Sequence, residues 1–241
     1  MRLFQALSLA PHTTVLLDQE ASHRIVHVLR KSIGEIITLF NGDRYDYTAC
    51  ITHIHKKQVT VNIIDKQPVN RESPLALTLA QGIARNDRMD VILQKSVELG
   101  VQQIIPLITQ HTQGLLKATQ QQKRFNHWKG IIISACEQSG RAIIPVLQFP
   151  QTLTTWLATP PHSLCLICSP TASQSLSALP RASLPSLTVL VGPEGGFSET
   201  EMLQATQKNF LAFKLGPRTL RTETAAITAL SLLQYQYGDM V

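Results

Sequence analysis

Two short runs near the end of the chain carry the residues best suited to chemistry. VGPEGGF (191–197) leaves an apolar stretch, and LGPRTLRTETAA (215–226) leaves the next one in the same manner. Gly195 and Gly196 lack a Cβ, so the backbone there can turn sharply and approach a bound molecule closely, while Pro193 stiffens the loop beforehand. Their N–H and C=O groups can then read the polar edges of a flat ring. Glu194 places negative charge in this loop and no GK[ST] follows, which argues against a phosphate cradle; a GxGxxG fingerprint is also missing. In the second run Arg218 and Arg221 sit near the N-terminus of a helix, a region favourable to negative charge. Their charge suits an RNA phosphate, or negative charge developing on a base oxygen during reaction. Glu223 fits the first turn of that helix through the dipole alone, and it could also pair with Arg221 or orient a ligand amine. Taken singly, each residue reads as structural, and two glycines by themselves allow a plain strand-to-helix turn. Packed together after consecutive strands, they read as one small-molecule site at the carboxyl ends of strands, where an open α/β sheet keeps its ligands.

The elements that would position these loops follow from periodicity. The first seventy residues are rich in strand signals: TTVLLD (13–18) and EIITLFNGD (35–43), with HRIVHVLRK between them as a short basic helix. Asn41-Gly42 is a hairpin signal. TACITHIHKKQVTVNIID (48–65) predicts two more strands around a polar turn at Lys56, Lys57 and Gln58, with Val59, Val61 and Ile63 alternating against Thr60 and Asn62. This pattern predicts a small β-barrel. His53 and His55 share one strand face without a third ligand nearby, so they read as surface or RNA-facing residues and not as a metal site. DKQPVNRESP (65–74) reads as a linker.

Beyond the linker, strand and helix alternate. LALTLAQ is followed by a helix capped by Asp87, with Met89, Leu93 and Val97 on one face and Gly100 as the stop. IIPLIT comes next, then a long helix with Trp128, Ile131, Ile132 and Ala135 on one stripe, ending at Gly140. VLQF, a short helix in TLTTWLA, the strand SLCLICS and a Ser/Pro/Ala-rich loop to Pro185 follow. LTVLV leads to a helix opened by the capping box Ser198/Glu201, and FLAFKL to a last helix starting near Thr222. The alternation predicts a largely parallel sheet covered on both faces. The last helix is apolar almost all round, which predicts a central position or a homodimer interface.

Composition agrees with an ordinary globular chain of 241 residues, 44% hydrophobic and 16% charged, and the net charge of +6 favours a polyanionic partner. Gln5 and Ser8 interrupt the apolar residues of the N-terminus, and no run is long enough to span a bilayer, so a cytoplasmic location is expected. Four cysteines do not make a disulfide scaffold; Cys165 and Cys168 form a CxxC inside an apolar run and read as buried strand residues.

GPEGGFS and LGPRTLRTETAA, in this order, closely resemble the signature motifs of the bacterial 16S ribosomal RNA uridine-N3 methyltransferases, the RsmE family of the SPOUT superfamily. The resemblance extends to RESPLALTLAQ, DRMDVILQKSVELGV and ISACEQSGRAIIP (133–145), and weakly over the first seventy residues. It implies a PUA-like β-barrel RNA-binding domain over residues 1–70, and a SPOUT α/β methyltransferase domain with a C-terminal trefoil knot over residues 74–241. It implies S-adenosylmethionine held by three loops: after SLCLICS (Ile167, Cys168), at Gly192, Pro193, Glu194, Gly195 and Gly196, and at Leu215, Gly216, Leu220, Thr222, Thr224 and Ala225. It implies homodimerisation through the knotted region. Three departures stand out: Gln110 and His111 replace an acidic–basic pair of many relatives, Arg44 replaces the last glycine of an NGDG turn, and the opening MRLFQAL blurs the usual pattern.

For the chemistry, the main task is to bring uridine N3 in line with an already electrophilic methyl group, so positioning carries a large share of the rate. Arg221 is expected to stabilise charge on the base carbonyls, and Glu223 to accept the proton or hold that arginine. The target base must be unpaired or flipped. Arg24, Arg30, Lys31, Arg71 and Arg218 are the candidate RNA contacts, with a solvated basic face as the equal alternative for the first four. The competing classes are a non-catalytic RNA-binding or ribosome-assembly factor and a nucleotide-binding enzyme; neither binds S-adenosylmethionine.

Overall fold

The computed structural model describes residues 1–112, 118–179 and 185–240. They group into two compact units, Met1–Glu72 with Cys136–Ile144, and Ser73–Ala135 with Pro145–Val241.

The first unit contains β1 (Arg2–Phe4), β2 (Thr14–Leu16), α1 (Gln19–His23) running into a π-helical turn at Arg24–Val28, β3 (Ile36–Phe40), β4 (Tyr45–His55) and β5 (Gln58–Pro68). The sheet order is β1-β3-β4-β5-β2. As the dipeptide signal predicts, β3 and β4 pair antiparallel across Asn41-Gly42, and β4 and β5 across Lys56-Lys57. In β5 the alternation is realised: Val59, Val61 and Ile63 are buried in a core with Leu3, Ile25, Leu39 and Ile51. β1 went unread because three residues are too few to show a period. Its end is tied to the end of β2 by fully buried Gln5, which donates to the Asp18 carboxylate (3.0 Å) and accepts from the Asp18 N–H (3.1 Å). The two outer strands of the sheet are thereby drawn towards each other, the curl a barrel needs. Asp18 also accepts from Ala21 N–H (2.7 Å), so the helical segment starts earlier than its basic run suggested.

The EQSGR run has a structural role in this unit. Glu137 accepts from Phe4 N–H (3.0 Å) and pairs with Arg24 (2.5 Å), while Arg2 donates to the Cys136 carbonyl (2.8 Å). Arg141, its side chain 3% exposed, donates from Nε to Glu72 (3.0 Å).

The second unit follows the alternating pattern: β6 (Ala76–Gly82), α2 (Asn86–Glu98), β7 (Gln103–Ile108), α3 (Ala118–Ser139, its last residues belonging to the first unit), β8 (Val146–Leu147), β9 (Gln151–Thr152), α4 (Leu153–Ala158), β10 (Leu164–Cys168), β11 (Ser186–Val191), α5 (Glu199–Gln207), β12 (Leu211–Phe213) and α6 (Thr222–Tyr237). Every ladder is parallel, in the order β12-β10-β11-β6-β7-β8, with β9 also on β7. Leu77, Leu79, Leu187, Val189 and Leu190 are fully buried, as continuous apolar central strands must be. β9, two residues long, was not legible. Residues 180–184 of the Ser/Pro/Ala-rich loop lie outside the described residues.

One helix start differs from expectation. The N-cap of α2 is Arg85, not Asp87, and no side chain of its own caps it. Instead the Glu194 carboxylate accepts from Arg85 N–H at 3.0 Å, a distant acid replacing the local one. The capping box of α5 forms as predicted: Ser198 Oγ accepts from Glu201 N–H (3.3 Å) and Glu201 accepts from Ser198 N–H (2.9 Å). α6 buries Ala226, Ala229, Leu230 and Leu233. Its fully buried Gln234 bonds to Ser73 Oγ and to the Leu99 carbonyl, both at 2.8 Å. Its Leu232 and Tyr235 remain 40% and 70% exposed.

Candidate functional site

The registers of the second sheet decide which loops meet. Ile167 lies opposite Leu190, and Cys168 opposite Phe213, so β10, β11 and β12 end at one edge. The three loops expected to hold a cofactor therefore leave the sheet side by side. Ile167 is fully buried at that edge. Burial pushes the Cys168 thiol up to about 11 and raises Cys165 as well, so both stay protonated and neither serves as a nucleophile.

Gly192 is the junction. Its carbonyl accepts from Thr222 Oγ1 at 2.6 Å, joining the middle loop to the first turn of α6. Gln81, fully buried at the end of β6, uses the two hydrogens of Nε2 on three acceptors: the Gly82 carbonyl (2.8 Å), and Thr222 Oγ1 (3.0 Å) with the Gly192 carbonyl (3.3 Å) sharing the other. One amide thus fastens β6, the middle loop and α6 together. Two side-chain oxygens here, the amide Oε1 of Gln81 and the carboxylate Oε2 of Glu223, are buried and have no partner among the described residues. A buried acceptor left alone costs about 1–3 kcal/mol. Both await a donor, and the ammonium, ribose hydroxyls and adenine amine of S-adenosylmethionine are donors. The residues present fit that molecule.

The loop tip is a tight turn in which Gly196 N–H donates to the Pro193 carbonyl (2.9 Å). Gly196 has φ +68, a left-handed value suited to glycine, and a Cβ there would meet open space. At Gly195 a Cβ would lie 2.8 Å from His111 Cβ, so no larger residue fits without displacement. The His111 ring bonds through Nδ1 to the Gly196 carbonyl (3.3 Å), and Gln110 N–H donates to the Glu201 carboxylate (2.8 Å). Glu194, besides capping α2, pairs with Arg88 (3.3 Å). Together these contacts frame an open cleft of about 460 Å³ lined by Arg85, Gln110, His111, Thr112, Glu194 and Gly195.

The remaining expected residues are less gathered. Gly216 (φ +106), Arg218, Arg221 and Thr224 are exposed, Leu215 and Leu220 half-buried, and Ala225 buried. Arg221 is the N-cap of α6 without a capping side-chain bond, and no ion pair joins it to Glu223 among the described residues. Of the candidate RNA contacts in the first unit, Arg24 is held by Glu137, Lys31 by Glu35 (2.6 Å) and Arg71 by the Gly140 carbonyl (3.1 Å). Arg30 is exposed at φ +50. Sequence reasoning did not single out Gln81, Arg85, Arg88 or Glu201 as parts of the site. Gln81 had a signal, an amide inside an otherwise apolar strand; the arginines meet Glu194 only through the tertiary fold.

Comparison with known proteins agrees with this geometry. Residues 71–234 match the RNA methyltransferase domain family, and residues 17–64 the RNA methyltransferase PUA domain family. The ribosomal RNA small subunit methyltransferase E of Buchnera aphidicola subsp. Schizaphis graminum is 35% identical over 99% of this chain and 97% of its own length. A methyltransferase from Legionella pneumophila, solved with the cofactor SAM, is 44% identical with a TM-score of 0.96, over 99% of this chain and 98% of that one. The ribosomal RNA small subunit methyltransferase E of Neisseria gonorrhoeae, solved with S-adenosyl methionine, is 37% identical with a TM-score of 0.91, over 100% of this chain and 99% of that one. An N-terminal PUA unit, a parallel α/β unit and three loops meeting at one sheet edge thus place the chain in the ribosomal RNA small subunit methyltransferase E family of RNA methyltransferases.

Proposed function

We propose that the chain is an S-adenosylmethionine-dependent methyltransferase that modifies N3 of a uridine in 16S ribosomal RNA of the small subunit. The observation that carries this reading is the fastening of Gly192 to Thr222 and Gln81, which brings the glycine loop and the α6 start into one cradle with two unpartnered buried acceptors. S-adenosylmethionine, when bound, supplies an electrophilic methyl group. The middle loop contacts it through backbone groups of Gly192, Pro193, Gly195 and Gly196, while Glu194 holds that loop against α2. Ile167 and Cys168 floor the pocket, and Leu215, Gly216, Leu220, Thr222, Thr224 and Ala225 close it. Glu223 accepts a donor of the bound molecule. Arg221, exposed at the start of α6, is assigned to stabilise charge on the carbonyl oxygens of the base as N3 loses its proton. Arg30 and Arg218, exposed and basic, are the phosphate contacts, with Arg24, Lys31 and Arg71 beside them as charge already partly neutralised.

The same reading gives a PUA-like barrel over residues 1–70 and a knotted SPOUT domain over residues 74–241. Support for the knot is the order in which β12 lies beside β10, with Lys214 N–H on the Gln174 carbonyl (2.9 Å), before the chain returns to Gly192 at Thr222. A second copy packs on α6, whose Leu232 and Tyr235 are exposed apolar surface. No helix among the described residues is long and apolar enough to cross a membrane, and a cytoplasmic site of action is part of the proposal.

Purified protein should be incubated with labelled S-adenosylmethionine and either free 16S RNA or assembled small subunits, and the digested nucleosides identified by mass spectrometry. 3-Methyluridine is expected from one of the two. Tight RNA binding without any transferred label would leave an RNA-binding factor in its place.

A further inference from the structure

We propose that the cleft beside the glycine loop receives the target uracil, and that His111 takes the proton from its N3. This rests on the methyltransferase reading above. The Gly196 carbonyl can only accept, so at 3.3 Å the His111 Nδ1 must be the donor. In the neutral ring that leaves Nε2 with a lone pair and no proton. A uracil presents one imide N–H flanked by two carbonyls, and an N–H of that kind needs an acceptor.

Among the described residues lining the cleft, two side chains have the chemistry of a base, His111 and Glu194. Glu194 already serves α2: its Oε1 takes both Arg85 N–H and the Arg88 guanidinium, so its charge is paired. Glu223 sits in the first turn of α6 and does not line the cleft. His111, whose bond runs to a backbone carbonyl and not to a charged partner, is the base assigned here. Its position is set from two sides, by its own bond to Gly196 and by the neighbouring Gln110 N–H on Glu201 (2.8 Å). Contact with the Gly195–Gly196 backbone keeps the ring against the loop that holds the methyl donor.

The N3–H bond breaks and its proton goes to His111 Nε2. The nitrogen lone pair forms the N3–CH3 bond as the methyl–sulfur bond breaks, its electron pair staying on sulfur. The imidazolium then returns its proton to water. The charged groups lining the cleft with His111 are Arg85 and Glu194; Arg88 pairs with Glu194, and Glu201 accepts from the neighbouring Gln110 N–H.

The test compares His111→Gln and His111→Ala with the wild-type protein. S-adenosylmethionine affinity by calorimetry should stay within about twofold, while kcat on small-subunit RNA falls by about 10²-fold or more, the usual range for a lost base. The acidic limb of the wild-type kcat/KM–pH profile should vanish in His111→Gln, and added imidazole should restore part of the rate to His111→Ala. Without any methyl donor, uridine 5′-monophosphate should shift the His111 ring resonances, and cytidine 5′-monophosphate, which has no N3–H, should shift them less. An unchanged rate and pH profile in His111→Gln would overturn the role, as would a loss of rate matched by an equal loss of cofactor affinity. Failure of the wild-type protein to transfer methyl groups at all would instead remove the reading on which the role stands.

Discussion

Replacing Thr222 by valine probes the junction of the cofactor loops. The residue is 5% exposed, so the change is felt in the interior, and valine matches threonine in shape while lacking the hydroxyl. Two bonds go: the 2.6 Å donation to the Gly192 carbonyl and the 3.0 Å acceptance from Gln81 Nε2. Neither partner is stranded, since Gly192 and Gln81 keep each other at 3.3 Å and Gln81 keeps the Gly82 carbonyl at 2.8 Å. The loss is therefore the net value of two bonds, about 1 kcal/mol each, and not the larger penalty of an orphaned group. For a chain of this size about 2 kcal/mol lowers the unfolding midpoint by roughly 4–8 °C. If the bonds also hold the loops in their binding geometry, S-adenosylmethionine affinity falls by up to about 30-fold. Calorimetric titration and thermal unfolding read the two effects separately, and Thr222→Ser, which keeps the hydroxyl, should lie near wild type in affinity. Wild-type cofactor affinity in Thr222→Val would refute the idea that this junction shapes the site.

Gly195→Ala should destabilise by about 1–3 kcal/mol, because its Cβ would press on His111, and the double variant with His111→Gly should recover part of that in urea unfolding. Arg44→Gly should raise the unfolding midpoint of the first unit: Arg44 has φ +74, a conformation costing an L-residue about 1–2 kcal/mol, against about 0.5–1 kcal/mol for the extra freedom of glycine. Arg141→Ala should cost about 3–5 kcal/mol by leaving Glu72 unpaired in a largely buried place, whereas exposed Arg218→Ala should leave stability unchanged. At high pH, burial holds the Cys136 thiol up at about 12 and Cys168 at about 11, above the ordinary cysteine value reached on unfolding. Their contribution to stability is full below that ordinary value of about 8.5 and is lost progressively as pH rises through the folded values, so urea midpoints should fall from about pH 9 upwards.

Much of the fold was legible because its signals are local. Ser198 and Glu201 sit three apart and form their capping box; Asn41-Gly42 closes a hairpin; Val59, Val61 and Ile63 alternate into a core. That the glycine loop and the α6 start meet was legible because both follow strands whose ends declare themselves by composition. What the sequence could not show are contacts between residues far apart along it. The acid that caps α2 is Glu194, more than a hundred positions from Arg85, so Asp87 was the reasonable local choice and the wrong one. Arg24 reads from sequence as an RNA contact or a solvated charge, and Arg141 as one letter of a motif, because their partners Glu137 and Glu72 lie far along the chain. Gln81 joins loops that lie 111 and 141 residues away.

A structure of the protein crystallised with S-adenosylmethionine decides the matter of the pocket. The molecule is expected in the cradle formed by Ile167–Cys168, Gly192–Gly196 and Leu215–Ala225, with donors on Gln81 Oε1 and Glu223 Oε2. An empty cradle at saturating S-adenosylmethionine, or the molecule bound at another surface, would contradict it.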